Sequence, residues 1–174
     1  MKKLSLLLLL VTTFAGNSVF AQFNQAQMVK EWQRAKDYTK AYLDAMPADG
    51  YAFKPTPEIR SFAQQMLHLS DGNYFLASTG AGKPNPMGEK SNEKSVTPTK
   101  EAVTKAVLDS YDWVIATLQG MSQTQLDETV KFANQDITRA GMFGKTFEHQ
   151  THHRGQTTVY LRLKGVTPPQ ERLF

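Results

Sequence analysis

The sequence predicts an all-α fold, a four-helix bundle in a single domain. Two observations carry that prediction. Four segments of roughly 20 residues place apolar side chains three and four positions apart, the period of one buried helical stripe. Proline, glycine and hydroxyl residues punctuate the ends of those segments, with one long polar connection among them.

The first helix is predicted over Gln25–Asp44, with Met28, Trp32, Ala35, Tyr38 and Tyr42 on its stripe. Met46-Pro47-Ala48-Asp49-Gly50 ends it. Thr56-Pro57-Glu58 predicts the opening of the second helix: a capping hydroxyl, a proline for the first turn and an acid near the positive helix end. Ile59, Phe62, Met66 and Leu69 form its stripe, and Asn73 continues the line. A long loop, residues 80–96, then separates helices 2 and 3 and stands ready to cover a site mouth. Thr97-Pro98-Thr99 starts the third helix, which carries Val103, Val107, Ser110, Val114 and Leu118 to a stop at Gly120. Thr129-Val130-Lys131-Phe132 reads as a short extended piece. The fourth helix begins around Thr138 to Met142 and runs to Lys164, with Phe143, Phe147, Gln150, Thr157 and Leu161 on its packing stripe.

Residues 1–21 are read as a cleaved secretory signal: Lys2 and Lys3, an apolar run from Leu4 to Val11, and Val19-Phe20-Ala21 as the cleavage site. The run is shorter than the ~20 residues a membrane span needs, so no stable membrane anchor is expected. Export places the protein in the periplasm or outside the cell. The domain is then residues 22–174. The chain has 20 basic and 16 acidic residues; without the two signal lysines the balance is 18 against 16, or +2. No basic stripe remains to engage nucleic acid. With no cysteine, a metal would be held by nitrogen and oxygen, and thiol chemistry would need a thiol from the substrate.

Three of the four histidines lie within five residues of the last helix. His149 and His153 are spaced i, i+4, which sets their Cβ atoms about 5–6 Å apart on one face. His152 points about 100° away from that face and is a candidate supporting or surface group. His68, beside the stripe of the second helix, can complete the site if helices two and four are neighbours. Asp71 sits three residues on, placed to orient an imidazole N–H or to act as a weak fourth ligand. Three imidazoles leave a coordination position open for water or substrate. Zinc, nickel, iron or copper would suit such ligands. Arg154 is expected to pair with an acid such as Glu148 or Asp71, Gly155 to admit a neighbouring helix, and Tyr160 and Gln156 to pack and hydrogen-bond. Trp32 and Trp113 are core candidates.

Three strings together resemble the DinB/YfiT-like proteins: Phe53-Lys54-Pro55-Thr56-Pro57-Glu58-Ile59-Arg60-Ser61-Phe62, Met66-Leu67-His68-Leu69-Ser70-Asp71, and His149-Gln150-Thr151-His152-His153-Arg154-Gly155-Gln156. The resemblance implies a bundle of up-down-down-up type, often paired as a homodimer. It implies a metal triad of one histidine from the second helix and two from the fourth, here His68, His149 and His153, holding a divalent ion such as Zn, Ni or Fe. Some relatives use low-molecular-weight thiols, as S-transferases or isomerases in which the metal holds the thiolate. This chain departs from that pattern in its export signal. The expected function is therefore an exported metal-dependent enzyme that activates a thiol or water nucleophile toward a small-molecule substrate, S-transferase-like or hydrolase-like. The alternative is a non-catalytic periplasmic module that binds a metal or a small ligand.

Overall fold

The long helices begin where side chains cap them. In the computed structural model, which describes residues 24–174, Asn24 and Gln27 exchange side-chain and backbone bonds at the start of α1 (Gln25–Ala45). Ser61 and Gln64 do the same for α2 (Phe62–Ala81), and Thr99 caps α4 (Lys100–Gln119). Thr138 caps α6 (Arg139–Leu163). Two short helices interrupt the connections, α3 (Asn92–Ser95) and α5 (Gln123–Asp127). A small antiparallel hairpin, β1 (Thr129–Phe132) with β2 (Gln135–Thr138), precedes α6. The expected signal segment and cleavage site lie outside the described residues. No described helix is long and apolar enough to cross a membrane.

Cross-helix bonds fix the direction of each element. Lys100 reaches the carbonyls of Asp44 and Met46 while Gln25 reaches that of Leu118, so α1 and α4 run antiparallel. Ser70 bonds the Ala106 carbonyl and Asn73 bonds Ser110, so α2 and α4 run parallel. Gln65 meets Gln156, and Gly80 lies against Met142 and Phe143, so α2 and α6 run antiparallel. The bundle is thus up-down-down-up. Its core is continuous, with Trp32 against Tyr111 and Phe147, and Phe62 against Tyr51 and Tyr160. Trp113 is only half-buried, its ring 5.6 Å from that of Tyr74.

Two boundaries differ from expectation. Thr56-Pro57-Glu58 does not open α2: those residues form exposed turns, and Ile59, expected on the stripe, is 39% exposed. The reciprocal Ser61–Gln64 box sets the true start, and Phe62 N–H and Ala63 N–H bond back to Phe53 and Tyr51. The long connection is present but runs over residues 82–99 rather than 80–96, because α2 continues through Ala81, and α3 forms within it. The extended piece at Thr129–Phe132 is present, and it has a partner strand that the sequence did not announce.

A three-histidine candidate metal centre

The antiparallel contact of α2 with α6 brings His68 to His149 and His153. Ring centroids lie 5.3 Å apart for His68–His149 and 4.5 Å for both other pairs. One nitrogen from each ring lies within 4.8 Å of the others. Three imidazoles gathered in this way form a nitrogen donor set for a single divalent ion. Gly72 on α2 makes the approach possible, since a Cβ there would lie 2.1 Å from His149 Cε1.

Neighbours assign the proton on the His153 ring and crowd one nitrogen of His68. Gln65 donates its amide to Gln156 Oε1 at 2.6 Å, so its own oxygen faces His153 Nδ1 at 2.9 Å. His153 therefore carries its proton on Nδ1 and leaves Nε2 free as a ligand atom. Tyr160 supports this end of the site by donating to the Arg60 carbonyl at 2.7 Å. At His68, Glu93 Oε2 lies 3.1 Å from Nδ1, while Glu93 Oε1 accepts from Arg60 Nε at 2.9 Å.

The donor set fits a divalent ion. Burial first, then the imidazoles of His68 and His152, push the pKa of His149 down from 6.5 to about 4. Burial, then His149 and His68, push that of His153 down to about 3. Both rings are thus neutral near pH 7, with lone pairs available for coordination. His149 Nδ1 is buried without a hydrogen-bond partner, as Asn73 Oδ1 and Ser78 Oγ are elsewhere. An orphaned imidazole nitrogen within such a cluster is what an absent ligand would leave behind. A trough of about 510 Å³ adjoins the triad, walled by Leu76, Phe132, Ile137, Lys145, His149 and His152. The hairpin supplies its outer side.

Other expected roles fall differently. The carboxylate that reaches His68 belongs to Glu93, not to Asp71. Asp71 instead accepts from Ser91 Oγ (2.6 Å), Asn92 N–H (2.7 Å) and Glu93 N–H (3.2 Å). His152 takes the surface place that was one of its two expected ones, and meets Gln156 at 2.7 Å. Arg154 pairs with no acid among the described residues; it is buried, donates to Gln150 Oε1 at 2.9 Å and lies over the Tyr38 ring. Gly155 admits no helix and faces open space. Sequence reasoning missed Gln65 and Gly72, which flank His68 at i−3 and i+4, and Glu93, for which the loop offered no signal.

Known proteins bear on this geometry. A curated Bacillus subtilis (strain 168) protein, the uncharacterized YjoA, is 22% identical over 146 residues, covering 81% of this chain and 91% of its own. The uncharacterized YrdA of the same organism is 39% identical over only 44 residues, 25% of this chain and 26% of its own. A DinB-like protein from Bacillus cereus ATCC 10987 superposes with a TM-score of 0.72 at 17% identity, covering 84% of this chain and 97% of the other. The crystal structure of YjoA, also a DinB-like protein, superposes at 0.68 with 19% identity, covering 85% and 96%. At these identities the superpositions establish the fold alone. The DinB family model matches residues 17–172, nearly the whole chain, and the protein belongs to the DinB family.

Proposed function

We propose that this protein is an exported divalent-metal enzyme whose ion is held by His68, His149 and His153. The convergence of three imidazoles from two antiparallel helices, two of them held neutral by burial, is the observation that carries the reading. A bound divalent ion would supply Lewis-acid activation of a water or thiol nucleophile. The chain's own contributions are separate from that chemistry. Gln65 orients His153, Gly72 makes room for His149, and the trough beside His149 offers space for a small substrate with an apolar part against Leu76, Phe132 and Ile137. That solvent-reached trough gives a small molecule access to the site beside His149.

Elemental analysis of the purified protein tests the reading. About one equivalent of a divalent transition metal is expected, and His153→Ala should lose it. Full stoichiometry in His153→Ala would refute the triad. A screen of the metal-loaded protein with water and thiol nucleophiles then separates an enzyme from a binding module.

A further inference from the structure

We propose that Glu93, carried on the connection between α2 and α4, is a positioning residue that fixes the tautomer of His68, and that Asp71 holds Glu93 in place. The consequence for metal binding rests on the triad reading above; the tautomer itself does not.

A neutral imidazole has one N–H and one lone pair. Two groups compete for His68 Nδ1: Glu93 Oε2 at 3.1 Å and Arg60 Nη2 at 3.3 Å. The carboxylate can only accept, which puts the proton on Nδ1 and leaves Nε2 with its lone pair toward the triad. The guanidinium can only donate, which would move the proton to Nε2 and remove His68 as a ligand through that atom. Both demands cannot be met at once. The carboxylate is the nearer group, and its other oxygen, Oε1, is held by Arg60 Nε at 2.9 Å. Arg60 therefore steadies and partly neutralises Glu93, and Glu93 sets the ring.

Glu93 has no place on a long helix; it belongs to α3, within a polar connection. That segment is tied to α2 beside the histidine. Asp71, three residues beyond His68, takes bonds from Ser91 Oγ, Asn92 N–H and Glu93 N–H. Asn92 Nδ2 adds a bond to Ser70 Oγ at 2.8 Å. The acid that was expected to touch the imidazole thus acts through another acid, as the anchor of the strap that delivers it. Outer partners of this kind fix ring orientation in metal sites generally.

Glu93→Gln tests the assignment with little change of shape. Its backbone N–H still bonds Asp71, and Arg60 Nε still takes the side-chain oxygen. The amide NH₂ must then face His68 Nδ1 and donate, which drives the imidazole proton to Nε2. The readout is the ring ¹⁵N spectrum of the metal-free protein, with His68 assigned by its loss in His68→Gln. We expect Nδ1–H in the wild type and Nε2–H in Glu93→Gln. Zinc competition should show binding weaker by about 10–100-fold in the variant. An Nε2–H wild type or an unchanged tautomer in Glu93→Gln would each overturn the proposal, and a changed tautomer with unchanged zinc affinity would overturn its consequence for metal binding. A wild type that binds no zinc would defeat the metal reading, while the spectra would still decide the role of Glu93.

Discussion

Gly72 decides whether His149 fits. A methyl group there would lie 2.1 Å from His149 Cε1 and 2.4 Å from Nδ1, far inside contact distance. The ring is the movable end of a side chain, so Gly72→Ala should swing His149 aside and leave α2 intact. Alanine also favours an interior helical position by ~1 kcal/mol over glycine. The expected outcome is unchanged or higher thermal stability together with a loss of zinc affinity of about tenfold or more, as when a group that orients a ligand is removed. Melting and zinc titration on the same sample check it, and wild-type affinity would show that the ring position does not matter. The histidine pair was legible in the sequence because i, i+4 spacing is a local property. The role of Gly72 was not, because it depends on which face of α2 meets α6. The same ignorance made Gly155 look like the close-approach glycine, although its surroundings are open.

At the scale of elements, capping chemistry outweighed composition at the start of α2. Thr56-Pro57-Glu58 and Ser61-Phe62-Ala63-Gln64 both offer a hydroxyl and an acceptable first turn. Only the second closes the reciprocal box, with bonds of 2.9 and 3.2 Å. Ser61→Ala should therefore destabilise the protein by about 1 kcal/mol, whereas Thr56→Ala should change little. Paired denaturant titrations measure both, and equal effects would return the helix start to Thr56. The four long helices were legible because their stripes are long and regular, and β1 because its residues alternate. Its partner was not. β2 exposes Gln135, Asp136 and Thr138, and the turn between the strands uses Ala133 and Asn134, both at positive φ, without the glycine that usually marks such a turn. Arg154 was misjudged for a related reason. Its burial follows from Gln150, Thr39 and Tyr38 on two helices, a grouping that no single stripe displays.

Across the whole molecule, the triad sits on the seam between α2 and α6, elements joined through α4 and the hairpin rather than directly. An ion there would act as a cross-link between distant parts of the chain, formed only in the folded state. Metal at 100 times its dissociation constant should then add about 2.7 kcal/mol of stability. For a domain of this size that corresponds to a rise in melting temperature of roughly 5–10 °C. The effect has a defined pH window. The folded protein holds His149 and His153 below their usual 6.5, at about 4 and about 3, so the unfolded chain binds more protons between those values. Their contribution to stability is present in full above pH 6.5 and is lost as pH falls toward 4 and then 3. The metal-free protein should accordingly melt at lower temperature as it is acidified through that range. The increment from metal should shrink over the same range, because protons compete for the same nitrogens. Melting curves with and without zinc from pH 7.5 down to pH 4 give both dependences. A melting temperature indifferent to zinc at pH 7.5 would mean that packing alone holds α2 to α6, and that the three imidazoles meet there without an ion to join them.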